Sequence, residues 1–239
     1  MELKGRLGAI AKKIPQCSTL ADIGTDHAYI PLLAVQNSIC MKAVAADVKI
    51  GPIEIAARNI KRLGYEKQIE TRLGYGLEPL KENEADVIVI AGMGGILIQE
   101  IIAKSIVKAQ TAKVLILQPM NMVETLRKWL NENGFEIIDE TLADESKKIY
   151  NIISVKWTGE TIELEDFYHY IGYNLVKRKD AVFKRYAMNK INLLNKKIVG
   201  MQKAIDQPEE LKKLIEIKNR LEALLNELSF LTMASSKQQ

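Results

Sequence analysis

The sequence is poor in several features that identify whole classes of protein. Its two cysteines, Cys17 and Cys40, have neither metal-ligand spacing nor a CxxC motif, which suits a reducing cytoplasm. No apolar run approaches the length that spans a membrane. Aromatic residues make up only 6% of the chain, too few for a base-stacking platform along its whole length. Neither a Ser-His-Asp set nor a metal-ligand cluster is visible, so a hydrolase or a metalloenzyme is not indicated.

Glycine is scarce at the turn where a dinucleotide-binding protein needs it. The segment Leu20–Pro31 reads LADIGTDHAYIP, an apolar run followed by an acid, a single glycine and an Asp-His pair. A pyrophosphate requires Gly-x-Gly-x-x-Gly so that the backbone can approach it closely. Here Gly24 stands alone, and the bulky His27 occupies the position of the third glycine. The turn therefore disfavours an NAD-dependent reductase and favours S-adenosylmethionine, which has no phosphate.

Two carboxylates are spaced as in a strand-turn-helix-strand unit. Asp22 ends the first apolar run, and Asp47 ends a second, Ala43–Ala46, twenty-five residues later. A carboxylate at the second strand tip can accept hydrogen bonds from both ribose hydroxyls of an adenosine. Asp22 can bind the methionine ammonium directly or through water. The alternatives are a turn-forming Asp22 and an Asp47 that only caps the helix ahead of Pro52.

Alternating strand-like and helix-like patterns predict a parallel α/β sheet. The predicted helices include 51–63, closed by Gly64, and 121–133, closed by Gly134, while residues 1–15 read as an amphipathic helix covering the sheet. The near-continuous apolar runs indicate strands buried on both faces. The last two runs follow each other without a helix, which predicts a final antiparallel hairpin, as in Rossmann-type methyltransferases. The seven predicted strands are 19–23, 42–47, 68–73, 85–91, 113–118, 135–142 and 149–156.

The pattern changes from about His169 to a heptad spacing on either side of a break at Asp206–Pro208. Two such helices with a tight connection predict an antiparallel coiled-coil hairpin, so we place a catalytic domain at 1–160 and a hairpin domain at 161–239. The predicted seams are Met188, Ile191, Leu194, Ile198, Met201 and Ile205 in the first helix, and Leu214, Ile217, Leu221, Leu224, Leu228 and Leu231 in the second.

Charge is distributed unevenly between these parts. Residues 169–239 contain 14 Lys/Arg and 7 Asp/Glu, a net of 14 − 7 = +7, and the segment 177–203 contains a single acid, Asp180. Such a basic face indicates a polyanionic partner, although a solvated coiled-coil face would look the same. The candidate contacts with nucleic acid are Lys177, Arg178, Lys184 and Arg185.

Three further turns are expected at the same end of the sheet. Gly74-Tyr75-Gly76 lies where methyltransferases often place an acid or amide for adenine; tyrosine offers instead a ring that could stack on it. The Gly92–Gly95 loop provides backbone groups and room but no side-chain acceptor, which favours attack by a ring nitrogen over an exocyclic amine. A plain glycine-rich turn is the alternative. Gln118 and Asn121 follow strand five and could orient a base, or Asn121 could cap the next helix.

Taken together, DIGTDHAYIP, AADV, GMGG and LQPM, followed by a basic hairpin, resemble the bacterial tRNA (adenine-22-N1)-methyltransferases over nearly the whole chain. The resemblance implies a class I (Rossmann-like) fold, S-adenosyl-L-methionine as methyl donor, and N1 of adenine 22 in the D-arm region of tRNA as acceptor. It assigns the cofactor to Asp22, Gly24, Asp47, Gly74, Tyr75, Gly76 and Gly92. It assigns catalysis to Asp26, His27 and Tyr29, and the substrate to Met93, Gly94, Gly95, Gln118 and Asn121.

Other functions remain open on sequence grounds. A methyltransferase of the same fold could act on another RNA position, a protein or a small molecule. A non-catalytic RNA-binding or coiled-coil protein could also retain the fold, and cofactor binding would separate it from an enzyme. The oligomeric state is open as well, with a monomer favoured, and no metal or membrane partner is expected.

Overall fold

The computed structural model describes residues 3–178, 180–202 and 208–235, the last of these up to 228 with side chains and from 229 by backbone alone. The chain divides into two compact units, Met1–Glu163 and Leu164–Gln239. The sequence pattern placed this division after residue 160. None of the helices in the described ranges is long and apolar enough to cross a membrane.

The first unit contains one seven-stranded sheet, which confirms the predicted number of strands. The strand order is β3-β2-β1-β4-β5-β7-β6. The first five strands are parallel to one another, whereas β7 pairs antiparallel with both β5 and β6. The predicted antiparallel hairpin at the end of the sheet is therefore confirmed. The strands are β1 (Cys17–Ile23), β2 (Cys40–Asp47), β3 (Ile69–Leu73), β4 (Val87–Met93), β5 (Val114–Pro119), β6 (Phe135–Glu145) and β7 (Lys148–Trp157).

The central strands are buried on both faces, as their uninterrupted apolar sequences predict. Alternate residues of β4 enter two different apolar clusters: Ile88 and Ile90 pack into one, and Val87 and Val89 into the other. Because successive side chains of a strand point to opposite faces, these clusters are the two layers between the sheet and its helices. The sheet is thus held rigidly from both sides, and its carboxyl edge is a fixed platform for a site.

Six helices of the first unit cover the sheet. The predicted helix over 51–63 is observed and ends at Gly64 in the left-handed conformation, at φ +77°. The predicted N-terminal helix is present over the shorter range Gly5–Ala11, and Ile10 within it and Ile14 just after it lie in one of the two apolar clusters. The helices are α1 (Gly5–Ala11), α2 (Tyr29–Gln36), α3 (Ile50–Leu63), α4 (Gly95–Lys104), α5 (Ile106–Thr111) and α6 (Val123–Glu132).

The second unit is helical: α7 (Asp166–Ile171), α8 (Tyr173–Arg178), α9 (Phe183–Gln202) and α10 (Pro208–Ser235). Helices α9 and α10 pack against each other. Lys197 Nζ lies 2.9 Å from Glu210 Oε1 and so joins the end of one helix to the start of the next, as expected for an antiparallel hairpin.

The heptad prediction for this hairpin is correct in most positions and wrong in two. Met188 is 45% exposed, and Leu225 is buried at the position that Leu224 was predicted to take. Both errors come from extending a strict spacing of 3 and 4 beyond the stretch that actually packs. The predicted seam residue Ile205 and the side chain of Leu231 lie outside the described residues. The buried seam consists of Phe183, Ala187, Ile191, Leu194 and Ile198 with Leu214, Ile217, Leu221 and Leu225.

Candidate active site

Asp22 and Asp47 come together at the carboxyl edge of β1 and β2. Asp22 is buried, and burial raises its pKa from 3.8 to about 6, with the nearby charge of Asp47 adding to the shift. Two carboxylates in mutual repulsion at one strand edge form a strongly electronegative spot. Such a spot favours a ligand that brings a positive charge and hydroxyl donors.

The alternative reading of Asp47 as a helix cap is wrong. Helix α3 begins at Ile50, its N-cap is Lys49, and that cap receives no side-chain hydrogen bond. Asp47 Oδ1 instead accepts a hydrogen bond from the Lys49 backbone N–H at 2.7 Å, within the turn. This bond fixes the carboxylate at the tip of β2.

The turn after β1 requires its single glycine. Gly24 has φ +77°, and a Cβ at this position would overlap the Met93 side chain. The backbone N–H groups of Gly24 and Thr25 donate to the Ala46 carbonyl at 2.8 and 3.0 Å, which ties the turn to the end of β2. Met93, which was predicted to contact the substrate, therefore reaches back across the turn that holds the predicted cofactor residues.

The third predicted cofactor segment, Gly74–Gly76, is attached directly to Asp47. The Gly74 N–H donates to the Asp47 carbonyl at 2.9 Å. The ring of Tyr75 packs against the apolar core, with Lys104 Nζ 4.7 Å from its centroid. The ring is thus engaged with α4, so a cofactor contact at Tyr75 is expected from its backbone. The glycines have steric causes of their own, since a Cβ would press Gly74 against Pro79 and Gly76 against Ile101.

The Gly92–Gly95 loop interlocks with the loop after β5. The Met120 N–H donates to the Met93 carbonyl at 2.8 Å, and the Gly95 N–H donates to the Asn121 carbonyl at 3.0 Å. A Cβ on Gly95 would overlap the Met122 carbonyl oxygen, and one on Gly94 would lie 3.0 Å from Asn121 Oδ1. The glycines therefore allow two loops to pack backbone against backbone, and the loops form one wall of the site.

The structure gives Gln118 and Asn121 more specific roles than the sequence suggested. Gln118 is fully buried: its Oε1 accepts from the Gly92 N–H at 3.1 Å, and its Nε2 donates to the Pro119 carbonyl at 3.0 Å. Its side chain thus supports the wall from beneath, and its contact with a substrate stays a prediction. Asn121 does not cap α6, whose N-cap is Met122.

The predicted catalytic residues form an exposed group beside the β1 turn. His27 Nε2 lies 3.2 Å from Asp26 Oδ2, and the rings of His27 and Tyr29 are stacked, with centroids 5.0 Å apart. Asp26 is 71% and Tyr29 40% exposed. The loop is fixed from behind by Asn59 Nδ2, which donates to the His27 carbonyl at 3.1 Å. The group can offer a flat aromatic surface and a carboxylate to a planar ligand.

Two non-glycine residues beside the site have left-handed backbones. Ala28, the N-cap of α2, has φ +56°, and Met122, the N-cap of α6, has φ +49°. Such a conformation costs of order 1 kcal/mol for a residue with a Cβ. Ala28 lies in the Asp26–Tyr29 segment, and Met122 lies in the loop after β5 that packs against the Gly92–Gly95 loop. These two segments frame the mouth of the site.

The sequence pattern missed Arg6, which α1 brings to this wall. Its Nη1 donates to Gln118 Oε1 at 2.5 Å and would lie 3.3 Å from a Cβ on Gly92. The guanidinium also lies 5.8 Å from the ring centroid of Tyr150 on β7. An arginine in an amphipathic helix carries no signal of this role, because its partners lie more than a hundred residues away.

In the second unit, the four predicted nucleic-acid contacts are all exposed. Lys177 and Arg178 lie on α8, and Lys184 and Arg185 on α9. Asp180, the one acid of the segment, is exposed, and its Oδ1 accepts from the N–H groups of Val182 and Phe183, both at 3.0 Å. Basic residues therefore predominate among the exposed side chains of this segment.

No group of three or more His, Cys, Asp or Glu side chains suited to a metal ion occurs within residues 3–178, 180–202 and 208–235. The site described above consists instead of carboxylates, an aromatic pair and two glycine-rich backbone loops. These are the components of a site for an organic cofactor with a planar substrate.

Comparison with known proteins agrees with this geometry. Residues 3–153 match the family described as Methyltransferase domain. The chain is 34% identical over 229 residues to the tRNA (adenine(22)-N(1))-methyltransferase of Bacillus subtilis (strain 168), covering 94% of this chain and 96% of the relative. The crystal structure of the B. subtilis M1A22 tRNA methyltransferase TrmK superposes with a TM-score of 0.80 at 33% identity, over 95% of this chain and 98% of that one.

A second solved structure extends the comparison to a bound ligand. M. capricolum TrmK in complex with S-adenosyl-homocysteine, described there as the natural cofactor product, superposes with a TM-score of 0.75 at 30% identity, over 96% of this chain and 99% of that one. The similarity covers both units and nearly the full length of each relative. The chain therefore belongs to the tRNA (adenine(22)-N(1))-methyltransferase family.

Proposed function

We propose that the protein transfers a methyl group from S-adenosyl-L-methionine to N1 of adenine 22 in tRNA. The observation that carries this proposal is the meeting, at one edge of the sheet, of the Asp22–Asp47 pair with the exposed Asp26–His27–Tyr29 group. The first pair suits an aminoacyl-nucleoside cofactor, and the second suits a planar base. The family relationship supports the same reaction.

The residues present fit this cofactor. Asp47 would accept from the ribose hydroxyls, Asp22 would bind the methionine ammonium, and the turn at Gly24 provides no cradle for a pyrophosphate. A cationic ligand would also remove the penalty of ionising the buried Asp22 carboxyl. When bound, the cofactor supplies an electrophilic methyl on a sulfonium.

The protein's own residues have a modest chemical task in this reaction. Adenine N1 carries a lone pair at neutral pH, so no strong base is required, and catalysis rests on positioning and electrostatics. The stacked His27 and Tyr29 rings would hold the base. Asp26 has acceptor sites beyond the one near His27, so it can also accept from N6–H, which favours attack by N1 and the cationic product.

Recognition of tRNA would require the second unit. N1 lies on the Watson–Crick edge, so a paired adenine must first leave its helix. The exposed Lys177, Arg178, Lys184 and Arg185 would contact the phosphate backbone by charge and shape. We accordingly propose a catalytic domain followed by a substrate-binding hairpin, acting as a monomer. A tRNA substrate also implies a cytoplasmic protein.

The test is methyl transfer from radiolabelled S-adenosyl-L-methionine to an unmodified tRNA transcript, followed by nuclease mapping of the product. We expect N1-methyladenosine at position 22, none with a transcript carrying guanine there, and strongly reduced transfer by Asp47→Ala. Methylation elsewhere in the RNA would contradict adenine 22 as the target but keep an RNA substrate. Cofactor binding without any transfer to RNA would contradict the tRNA substrate and favour a protein or small-molecule acceptor.

A further inference from the structure

Arg6 is a half-buried cation at the wall of the site, and its side chain has no acidic partner among the described residues. Within the described part of the chain, no carboxylate forms a salt bridge with its guanidinium, whereas Glu145 accepts only from its backbone N–H, at 3.0 Å. A guanidinium has five N–H donors, and the Gln118 contact uses one. Charges withdrawn from water are normally paired, so this arginine is suited to an anion that the described residues of the free protein do not supply.

The position of Arg6 indicates which anion. Its contacts lie along the ends of β4, β5 and β7, at Gly92, Gln118 and Tyr150. The Asp22–Asp47 pair lies at the ends of β1 and β2, on the other side of β4 in the strand order. The guanidinium is thus on the side of the Gly92–Gly95 wall that faces away from the acidic cofactor spot. An anion bound there belongs to the substrate.

The neighbours of Arg6 hold its guanidinium in one orientation. The backbone of α1 is tied to Glu145 at the end of β6, the Gln118 amide is itself fixed by two hydrogen bonds, and the Tyr150 ring lies alongside. A planar fork held in this way can take two oxygens of one phosphate. We infer that Arg6 binds a backbone phosphate next to the target adenine and so positions the extruded nucleotide. This inference rests on the proposed tRNA substrate.

The experiment compares Arg6→Met and Arg6→Lys with wild-type protein and with Lys12→Met. Met keeps the stem and removes the charge, and Lys keeps the charge but not the fork. Lys12 is an exposed cation of the same short segment, which makes it a matched control. Each protein is assayed on transcripts with a normal linkage or with a neutral methylphosphonate immediately 5′ or 3′ of adenine 22. Thermal melting checks folding.

We expect Arg6→Met to lower kcat/KM for tRNA by roughly tenfold or more, as for loss of a charge-assisted hydrogen bond, mostly through KM. The affinity for S-adenosylhomocysteine should stay within about twofold, and Lys12→Met should behave like wild type. One of the two neutral linkages should impair the wild-type enzyme to a similar extent, but should not impair Arg6→Met further. Arg6→Lys should lie between the two.

Three results would overturn the inference. Equal losses toward tRNA and S-adenosylhomocysteine would make Arg6 a support of the wall. Weaker binding of S-adenosylhomocysteine, with unchanged binding of 5′-methylthioadenosine, would assign the cofactor carboxylate to it instead. Independent, additive effects of the neutral linkages and Arg6→Met would exclude a shared contact. Wild-type transfer is measured first: if it is absent, the proposed function fails, and Arg6 is then judged by the same comparisons of tRNA binding.

Discussion

The ionised form of the Asp22 carboxyl group is disfavoured by its burial and by the nearby charge of Asp47. Its pKa of about 6 lies above the unfolded value of 3.8, so ionisation in the free protein opposes folding. The resulting loss of folding stability is absent below about pH 4, grows between about pH 4 and 6, and is complete at higher pH. A buried group in such a state is a typical sign of a binding site, because a ligand cation can restore its ionised form.

This residue gives a paired prediction for stability and binding. Asp22→Asn should raise the free energy of unfolding of the free protein by up to about 3 kcal/mol at pH 8, and should bring no such gain at pH 4. The same change should weaken S-adenosylhomocysteine binding, and wild-type affinity should fall as the pH is lowered through about 6. Denaturant unfolding and calorimetry at both pH values check this. A gain of equal size at pH 4 would show that charge is not the cause.

Unlike Asp22, Asp26 should affect turnover rather than stability and cofactor binding, because it is exposed and lies beside the aromatic pair. We expect Asp26→Ala to lower turnover on tRNA by about tenfold to a hundredfold, a typical size for a positioned polar group in catalysis. Cofactor affinity should change little. Single-turnover rates and calorimetry separate the two quantities, and equal losses in both would exclude the proposed role.

Which residues reach the site was only partly predictable. Asp22, Gly24 and Asp47 follow directly from the ends of apolar strands, where parallel topology must bring them together. Tyr75 and Gln118 were placed at the correct edge, but the direction of their side chains depends on Lys104, Gly92 and Pro119, which spacing does not reveal. Arg6 could not be found at all, since only the packing of α1 on β6 and β7 brings it there.

The loops after β4 and β5 depend on each other, and glycine makes their contact possible. The sequence of strands and helices was readable because buried runs and amphipathic periods are local properties. The interlocking of two loops is not local, and the GMGG pattern alone fits an ordinary turn equally well. The cause of its glycines becomes evident only from the Asn121 and Met122 carbonyls opposite Gly95.

Two glycines, each at the start of a helix, test whether Gly95 is required for the packing of these two loops. Gly95→Ala should destabilise the protein by about 1–3 kcal/mol and lower turnover, because the new Cβ overlaps backbone that cannot move alone. Gly51→Ala, where no atom from outside the surrounding helical backbone lies within 4 Å of the added Cβ, should be neutral or stabilise by about 0.5 kcal/mol. Chemical unfolding and steady-state kinetics of both variants provide the comparison. Similar behaviour of the two would contradict a packing role for Gly95.

At the level of the whole chain, the candidate active site and the basic surface lie in different units. The first contains the acidic cofactor spot and the aromatic pair, and the second contains the exposed basic residues of α8 and α9. The uneven charge was evident from the sequence, but its meaning was not, because a solvated helix face has the same composition.

Removing charge from the hairpin should therefore affect RNA binding alone. The double variant Lys184→Gln/Arg185→Gln should weaken tRNA binding and reduce the slope of log affinity against log salt by about two. Lys61→Gln/Arg62→Gln, an adjacent exposed pair on α3, should have little effect. Fluorescence anisotropy over a range of salt concentrations measures both. Equal effects of the two pairs would indicate a response to net charge rather than a defined surface.

The left-handed backbones of Ala28 and Met122 set a limit on directed evolution of this protein. Selection for heat resistance would favour glycine at the exposed Met122, because it removes the steric strain, and less strongly at Ala28, where the lost methyl group is buried. The same exchange would let the two segments that frame the mouth explore more conformations. Substitutions at these two residues that raise thermostability should therefore lower the catalytic rate. A library screened for thermostability alone would lose activity.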